Sequence, residues 1–446
     1  MELDKTTYLD LSIFNREDEY SLFHKLDFTT TAGGREYLRK LFGQPLKDIA
    51  SIHNRQQMLQ YLLENEKAWP KAISNGTIVV VENYLNADIE PISSSGGLAL
   101  YINTLVTKTI YAPDFGFIKF SFEQLLNLIR GFRSLTEEIE IEIETAPTNL
   151  RMLLERARVL INKDEFHAIV QLDDDGALNS REILRYDRAI RKKYKKVLWE
   201  LTEIYTQLDA YQSMAQAILR FGLHFPIFTE EIKPHIAIQQ LYHLILPQPV
   251  AYDVTMEPDR GFIFLTGANM AGKTTFIKAV GISVFLAHLG MGVPAKSMTL
   301  SFFHGILSNI DVKDNIFKGE SYFYNEVQRI KNTIIKISDG KNWLILIDEM
   351  FKGTNVEDAK NCSLAVIRGL LQNRRCLYIL STHLYEIAEE LREEPKIIFK
   401  YFQSEVIDDN LHFTYELRDG IAKEKIGYLI LRKEKVIELL NNMKMD

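Results

Sequence analysis

Gly267-Ala268-Asn269-Met270-Ala271-Gly272-Lys273-Thr274, continued by Thr275, fits G-x-x-x-x-G-K-[ST], the phosphate-binding loop. Its surroundings match what that loop needs. The apolar run Phe262-Ile263-Phe264-Leu265 before it reads as a buried strand, and Thr275 to Leu289 after it is apolar at helical spacing. A strand, a glycine-bearing turn and a helix N-terminus direct several backbone N–H groups at one point, where a polyphosphate can sit. In that arrangement Lys273 reaches the terminal phosphates and the Thr274 hydroxyl holds Mg²⁺.

Working outward, the chain has 446 residues, enough for two or three domains, and at 46% apolar and 25% charged it has a globular composition. The net charge of −7 gives no global attraction to nucleic acid, so any such contact must come from a local basic face. Cys362 and Cys376 lack metal-ligand spacing, which argues against a disulfide framework and for a reducing compartment. The start Met1-Glu2-Leu3-Asp4-Lys5 is not a signal peptide, and the longest apolar stretch, Ala279 to Val293, is too short to span a bilayer. A cytoplasmic protein is expected.

The first part of the chain reads as helical. Leu38, Leu41 and Phe42, then Met58, Leu59, Leu62 and Leu63, recur at helical spacing, and a long helix is expected from Asn179 to Gln216. Glu137 to Glu144 alternates Glu and Ile as a strand does. The second part alternates strands (Gly261–Thr266, Trp343–Ile347, Cys376–Ser381) with helices, as a parallel sheet requires, and closes with two antiparallel strands near 398–407 and 411–418. The change falls in the junction Phe225 to Lys233. The fold class is α + α/β: an all-helical domain over 1–232 and a P-loop α/β domain over 233–446.

Further residues fit hydrolytic chemistry. Trp343 to Ile347 runs into Asp348-Glu349, where Asp348 suits a second Mg²⁺ anchor and Glu349 suits orienting or deprotonating a water. The plainer reading of two acids after a strand is a helix cap. Ser381-Thr382-His383 ends the next strand, and His383 is placed to bond a γ-phosphate or the lytic water. Lys318-Gly319-Glu320-Ser321-Tyr322-Phe323 precedes a helix and reads as an N-cap or a second phosphate contact.

In this order, the pieces resemble the MutS family of DNA mismatch-repair ATPases. Thr266 to Thr275 is close to the family's T-G-P-N-M-G-G-K-S-T, with Asn269-Met270 the distinctive pair. Gly319-Glu320-Ser321-Tyr322-Phe323 with Glu326 is similar to G-R-S-T-F-x-x-E; Asp348-Glu349 with Gly353-Thr354 to D-E-x-x-x-G-T; Thr382-His383 to the T-H switch. Leu26-Asp27, Thr30-Thr31-Ala32-Gly33 and Leu38 to Pro45 resemble the start of the family's helical core and lever, and His243 stands where the family has the histidine of a G-R-H-P strand. The resemblance implies an ABC-type ATPase that binds ATP and Mg²⁺. It also implies a homodimer with composite sites, in which Gly319 and Ser321 of one subunit complete the site of the other. No counterpart of the family's N-terminal mismatch-reading module and connector is expected in this sequence. Phe228-Thr229-Glu230 is a formal match to its Phe-x-Glu wedge, in the wrong place. The lever is expected to carry a reduced clamp, and no aromatic that would stack on adenine stands at Pro249-Val250.

A sequence-independent DNA contact is expected from Arg181, Arg185, Arg188, Lys192 and Lys195, whose 4-3-4-3 spacing makes one stripe on a helix. The leading reading is a MutS-like, ATP-hydrolysing, DNA-binding dimer without a membrane segment. The alternative is a nucleotide-gated protein acting on structured RNA or a protein partner.

Overall fold

The computed structural model describes residues 1–15, 18–70, 72–88, 112–138, 146–163, 179–310, 322–407, 410–422 and 435–442. They form two compact units: a sheet unit of 1–26, 44–53 and 220–446, and a helical unit of 27–43 and 54–219.

The chain begins in the sheet unit with strand β1 (Glu2–Leu3) and helices α1 (Lys5–Asp10) and α2 (Leu22–Leu26). The boundary read from the sequence assigns these residues to the helical half. In the structure β1 pairs in parallel with a strand at 305–309, and buried Asp10 accepts from the Ser308 hydroxyl at 2.6 Å and the Ile310 N–H at 3.0 Å.

The helical unit contains α3 (Ala32–Gly43), most of α4 (Ile49–Glu64), α5 (Asn75–Asn86), α6 (Ala112–Glu138), α7 (Thr148–Ile161), α8 (Ser180–Ala189) and α9 (Lys195–Phe221). The N-terminus of α3 is capped from a distance: the buried Asp209 carboxylate on α9 accepts from the backbone N–H and hydroxyl groups of both Thr30 and Thr31. The helix expected from Asn179 is present and runs on to Phe221. Between α8 and α9, however, Ile190–Tyr194 takes a π-helical turn. Asp187, just before that turn, and Arg191, within it, form a buried ion pair at 2.7 Å, with the Tyr84 hydroxyl donating to Asp187 at 2.6 Å. The strand reading at 137–144 meets the end of α6 at Glu138, and 139–145 lie outside the described residues.

The rest of the sheet unit follows in order: β2 (Ile227–Thr229), β3 (Ile236–Leu241), β4 (Tyr252–Met256), β5 (Phe262–Thr266), α10 (Lys273–His288), β6 (Ser297–Ser301), β7 (Gly305–Asn309), α11 (Tyr322–Ile337), β8 (Trp343–Asp348), α12 (Val356–Leu370), β9 (Cys376–Ser381), α13 (Tyr385–Glu390), β10 (Ile397–Ile407), β11 (Asn410–Asp419) and α14 (Val436–Asn442). Among the described residues the main sheet has the order β1-β7-β8-β9-β5-β10-β11, parallel except for the β10–β11 hairpin. A smaller sheet has the order β2-β6-β3-β4. Strands β5 and β9 are buried throughout, and β8 along all but its last residue, which is why they read as unbroken apolar runs rather than alternating ones. Because β8, β9 and β5 are neighbours, the residues just past their C-terminal ends meet in one crevice, where open α/β sheets bind ligands.

Phe228 of the formal wedge match is buried in β2, edge-on to the His288 ring at 5.1 Å, and is a core residue. His288 itself is fully buried. Its Nδ1 bonds the Val284 carbonyl at 2.8 Å and its Nε2 accepts from the Phe303 N–H at 3.0 Å, which braces α10 against the turn before β7. Among the described residues no helix is long and apolar enough to cross a membrane.

Candidate functional site

The loop between β5 and α10 needs its glycines. Gly267 has φ +134° and Gly272, the residue capping α10, has φ +111°, a region that strains any side chain. A Cβ at Gly267 would also press on the Phe402 backbone at 3.2 Å. Lys273 folds back over this loop, its ammonium donating to the Gly267 carbonyl at 2.8 Å and the Ala268 carbonyl at 2.9 Å. Burial pushes its pKa down to about 8, against the pull of the neighbouring Asp348 and Glu349 carboxylates. Ala271 is buried, while Asn269, Met270, Gly272, Thr274 and Thr275 line the crevice.

Asp348 ends β8 in register with Ser381 at the end of β9. Its carboxylate is held from both sides, by the Thr274 hydroxyl on one oxygen and the Ser381 hydroxyl on the other. A carboxylate beside a hydroxyl at the helix N-terminus is a hard-oxygen pair of the kind Mg²⁺ takes. Ser381 was not a sequence candidate; the strand register alone reveals it.

Glu349 follows at φ +63°, its backbone N–H donating to the Ser381 carbonyl at 3.0 Å. One carboxylate oxygen pairs with His383 Nε2 and the other with Lys352 Nζ at 2.9 Å. Burial alone would raise this carboxyl, but the bonds to His383 and Lys352 outweigh it and bring the pKa down to about 2. Glu349 is therefore anionic, and its side chain does not cap the following helix: α12 is capped by Asn355, which accepts from the Asp358 N–H. The turn after Glu349 is fastened by Glu326 on α11, whose buried carboxylate accepts from the N–H groups of Lys352 at 3.2 Å and Gly353 at 3.3 Å.

These groups face a cavity of about 880 Å³, within the size range of small-molecule sites. Its polar lining includes Lys273, Thr274, Asp348, Glu349, Lys352 and His383. Its apolar and aromatic lining includes Leu246, Pro247 and Val250 from the β3–β4 loop, Tyr252, Met270 and Tyr415. The aromatic lining missing at Pro249-Val250 thus comes from elsewhere. Tyr252 stands edge-on to Phe276 and Phe402 at 5.6 and 5.7 Å. Tyr415 sits where the β10–β11 register slips, between the pairs Phe402↔Leu417 and Ser404↔Phe413, at φ +56°. A bulge of this kind re-aims a side chain, and no local sequence signal announces it.

Other candidates are not among the described residues that line this cavity. Gly319 and Ser321 are outside the described residues. His243 is not in the cavity lining; burial, with Lys278 and Lys25 nearby, pushes its pKa down to about 4. In the helical unit Arg181, Arg185, Lys192 and Lys195 are exposed and Arg188 is half-buried. Lys192 lies inside the π turn and Lys195 just after it, so the wider turn offsets both, progressively, from the line of Arg181, Arg185 and Arg188. The single stripe expected from the sequence is therefore two offset segments.

Comparison with known proteins places these observations. Residues 263–440 match the family model described as MutS domain V, and residues 6–220 match MutS domain III. The chain is 24% identical over 97% of its length to the DNA mismatch repair protein MutS of Petrotoga mobilis, covering 62% of that protein. It is 30% identical over 53% of its length to MutS of Thermotoga maritima, covering 30% of it. It is 23% identical over 96% of its length to DNA mismatch repair protein MSH7 of Arabidopsis thaliana, covering 42% of it. The chain thus spans less than two thirds of the length of these relatives.

Proposed function

The chain belongs to the MutS family, and from that premise we propose that it hydrolyses ATP to ADP and phosphate and uses the cycle to control binding to DNA, in mismatch repair or related processing of DNA structures. The observation that carries the reading is the meeting, at three adjacent strand ends, of Lys273, the Thr274–Asp348–Ser381 cluster and the Glu349–His383 pair. The donor set fits Mg²⁺: Thr274 and Asp348 would hold it, and when bound it would shield the β- and γ-phosphate oxygens.

The chain's own residues supply the rest. The base of the nucleotide lies toward Leu246, Val250 and Tyr415, and the phosphates lie at the N-terminus of α10. Lys273, already desolvated, exchanges its two loop carbonyls for phosphate oxygens. Glu349 directs a water in line with the γ-phosphate and takes its proton while the bond from the γ-phosphorus to the ADP oxygen breaks. His383 holds one oxygen of Glu349 throughout. The resemblance adds a dimer in which the Ser321 segment of one subunit completes the partner's site. Nucleotide then favours one of two dimer arrangements and moves the helical levers with it.

Turnover and nucleotide binding of Lys273→Ala and Glu349→Gln test the assignment. Lys273→Ala is expected to lose both. Glu349→Gln is expected to bind ATP and turn it over at least ~100-fold more slowly, as loss of a general base does. Wild-type turnover in either variant removes the reading. The net charge of −7 keeps a protein or structured-RNA target in view. Retention on DNA that falls steeply with salt separates the two, because neutralised phosphates release counterions.

A further inference from the structure

We propose that Lys352 is a positioning residue for hydrolysis: its ammonium holds the Glu349 carboxylate in the orientation that directs the attacking water. The inference rests on the reading of Glu349 given above and adds the residue that makes its placement unique.

The Glu349 carboxylate has two anchors from different elements. His383, beyond β9, takes one oxygen, and Lys352, from the turn after β8, takes the other at 2.9 Å. With only one anchor the carboxylate pivots about that bond; with two its plane is set, and each oxygen keeps a further lone pair for a water. Lys352 exchanges no proton and makes no bond to the reacting atoms in this role.

An i,i+3 ion pair is ordinarily a surface contact that contributes little. Two observations set this one apart. First, both partners line the cavity, and the Lys352 ammonium, from a side chain 41% exposed, reaches in to a Glu349 side chain that is only 19% exposed. Second, the backbone that carries Lys352 is fixed from below. Glu326 receives the Lys352 and Gly353 N–H groups, and Phe351, at φ +60° and buried, packs its ring at 5.7 Å from Phe323. A solvated turn needs no buried carboxylate to hold it, whereas a side chain that must end at a set point does. In phosphoryl transfer the protein contributes mainly placement and charge, so a group that sets the direction of the water-orienting carboxylate acts on the rate itself.

The test uses the full chain with Lys352→Met and Lys352→Arg, each also combined with Glu349→Gln, and reads kcat, KM, ADP affinity and melting temperature. Lys352→Met is expected to lower kcat about ten- to a hundredfold, the scale on which small misplacements act, with KM and ADP affinity unchanged. Lys352→Arg restores most of the rate, and Lys352→Met adds nothing in the Glu349→Gln background. A kcat for Lys352→Met equal to wild type, with Glu349→Gln inactive, overturns the inference and leaves the ATPase reading standing. A loss of KM and ADP affinity in step with kcat overturns it as well, in favour of direct phosphate contact or a general structural role. Should Glu349→Gln itself turn over normally, the underlying reading fails regardless of Lys352.

Discussion

Asp348 shows how much one hydrogen bond decides at the scale of a residue. Its carboxylate is aimed by two hydroxyls, of which Thr274 is also the proposed Mg²⁺ ligand, so the Ser381 hydroxyl is the partner whose removal isolates orientation. Ser381→Ala is expected to raise the Mg²⁺ concentration needed for half-maximal turnover by roughly ten- to a hundredfold, the usual effect of an outer-shell partner, and Mg²⁺ titration of ATPase activity measures it. His288 gives a prediction about stability. Burial pushes its pKa from 6.5 down to about 3, and the neutral ring is required because Nε2 accepts from the Phe303 N–H. Between those values the unfolded chain binds a proton that the folded one does not. Stability contributed by the neutral ring is therefore complete above pH 6.5 and declines as pH falls toward 3, by up to ~1.4 kcal/mol per pH unit. Denaturant unfolding between pH 7 and pH 4 is expected to show a shallower pH slope in His288→Gln than in wild type.

The helix running from α8 through the π turn into α9 carries the question of DNA at the scale of an element. The spacing of the basic residues assumes α geometry, and the extra residue at Ile190–Tyr194 divides them. At the start of that turn Asp187 and Arg191 are buried as a pair against Tyr84, with the guanidinium 4.4 Å from the ring. Arg191, which adds to the positive charge in the sequence, is thus already used inside the unit. Reversal of Arg185, Arg188 and Lys192 to Glu is expected to weaken duplex and branched DNA binding alike. It is also expected to flatten the dependence of log K on log salt by about 0.9 for each phosphate that is no longer neutralised. These residues lie in the helical unit and the cavity lining in the sheet unit, so basal ATPase activity is expected to stay near wild type. Equal binding by the reversed and native proteins at physiological salt would assign the stripe to a solvated surface.

The whole molecule does not divide where the sequence changes character. Residues 1–26 and 44–53 cluster with the sheet unit although the match to MutS domain III begins at residue 6. The first strand closes an edge of the main sheet, so the unit that carries the cavity is built from both ends of the chain. The proposed dimer is tested at this scale. Ser321→Arg is expected to retain ATP binding and lose turnover, and Lys273→Ala to lose binding. Mixed, the two proteins are expected to recover activity, because one of the two composite sites in a heterodimer holds a native Lys273 and a native Ser321. Folded proteins that fail to complement would argue for a site complete within one chain.

The placement of the candidate site residues was legible in the sequence wherever it resides in contiguous residues. The glycine loop with Lys273 and Thr274, the acidic pair at the end of an apolar run, and Thr382-His383 each need only a strand end and a turn, and spacing announces both. The central strands were legible for a related reason: burial on two faces leaves an unbroken apolar run. What the sequence could not supply depends on closure between distant segments. Ser381 reaches Asp348 through strand register, and Glu326 fastens the turn of Lys352 from another helix. Tyr415 enters the cavity through a slip in a hairpin, a π turn interrupts the long helix beside a buried ion pair, and β1 joins a strand some 300 residues away. Periodicity records which face of an element is apolar, but it carries no information about which element will cover that face. That was decided only by the tertiary packing.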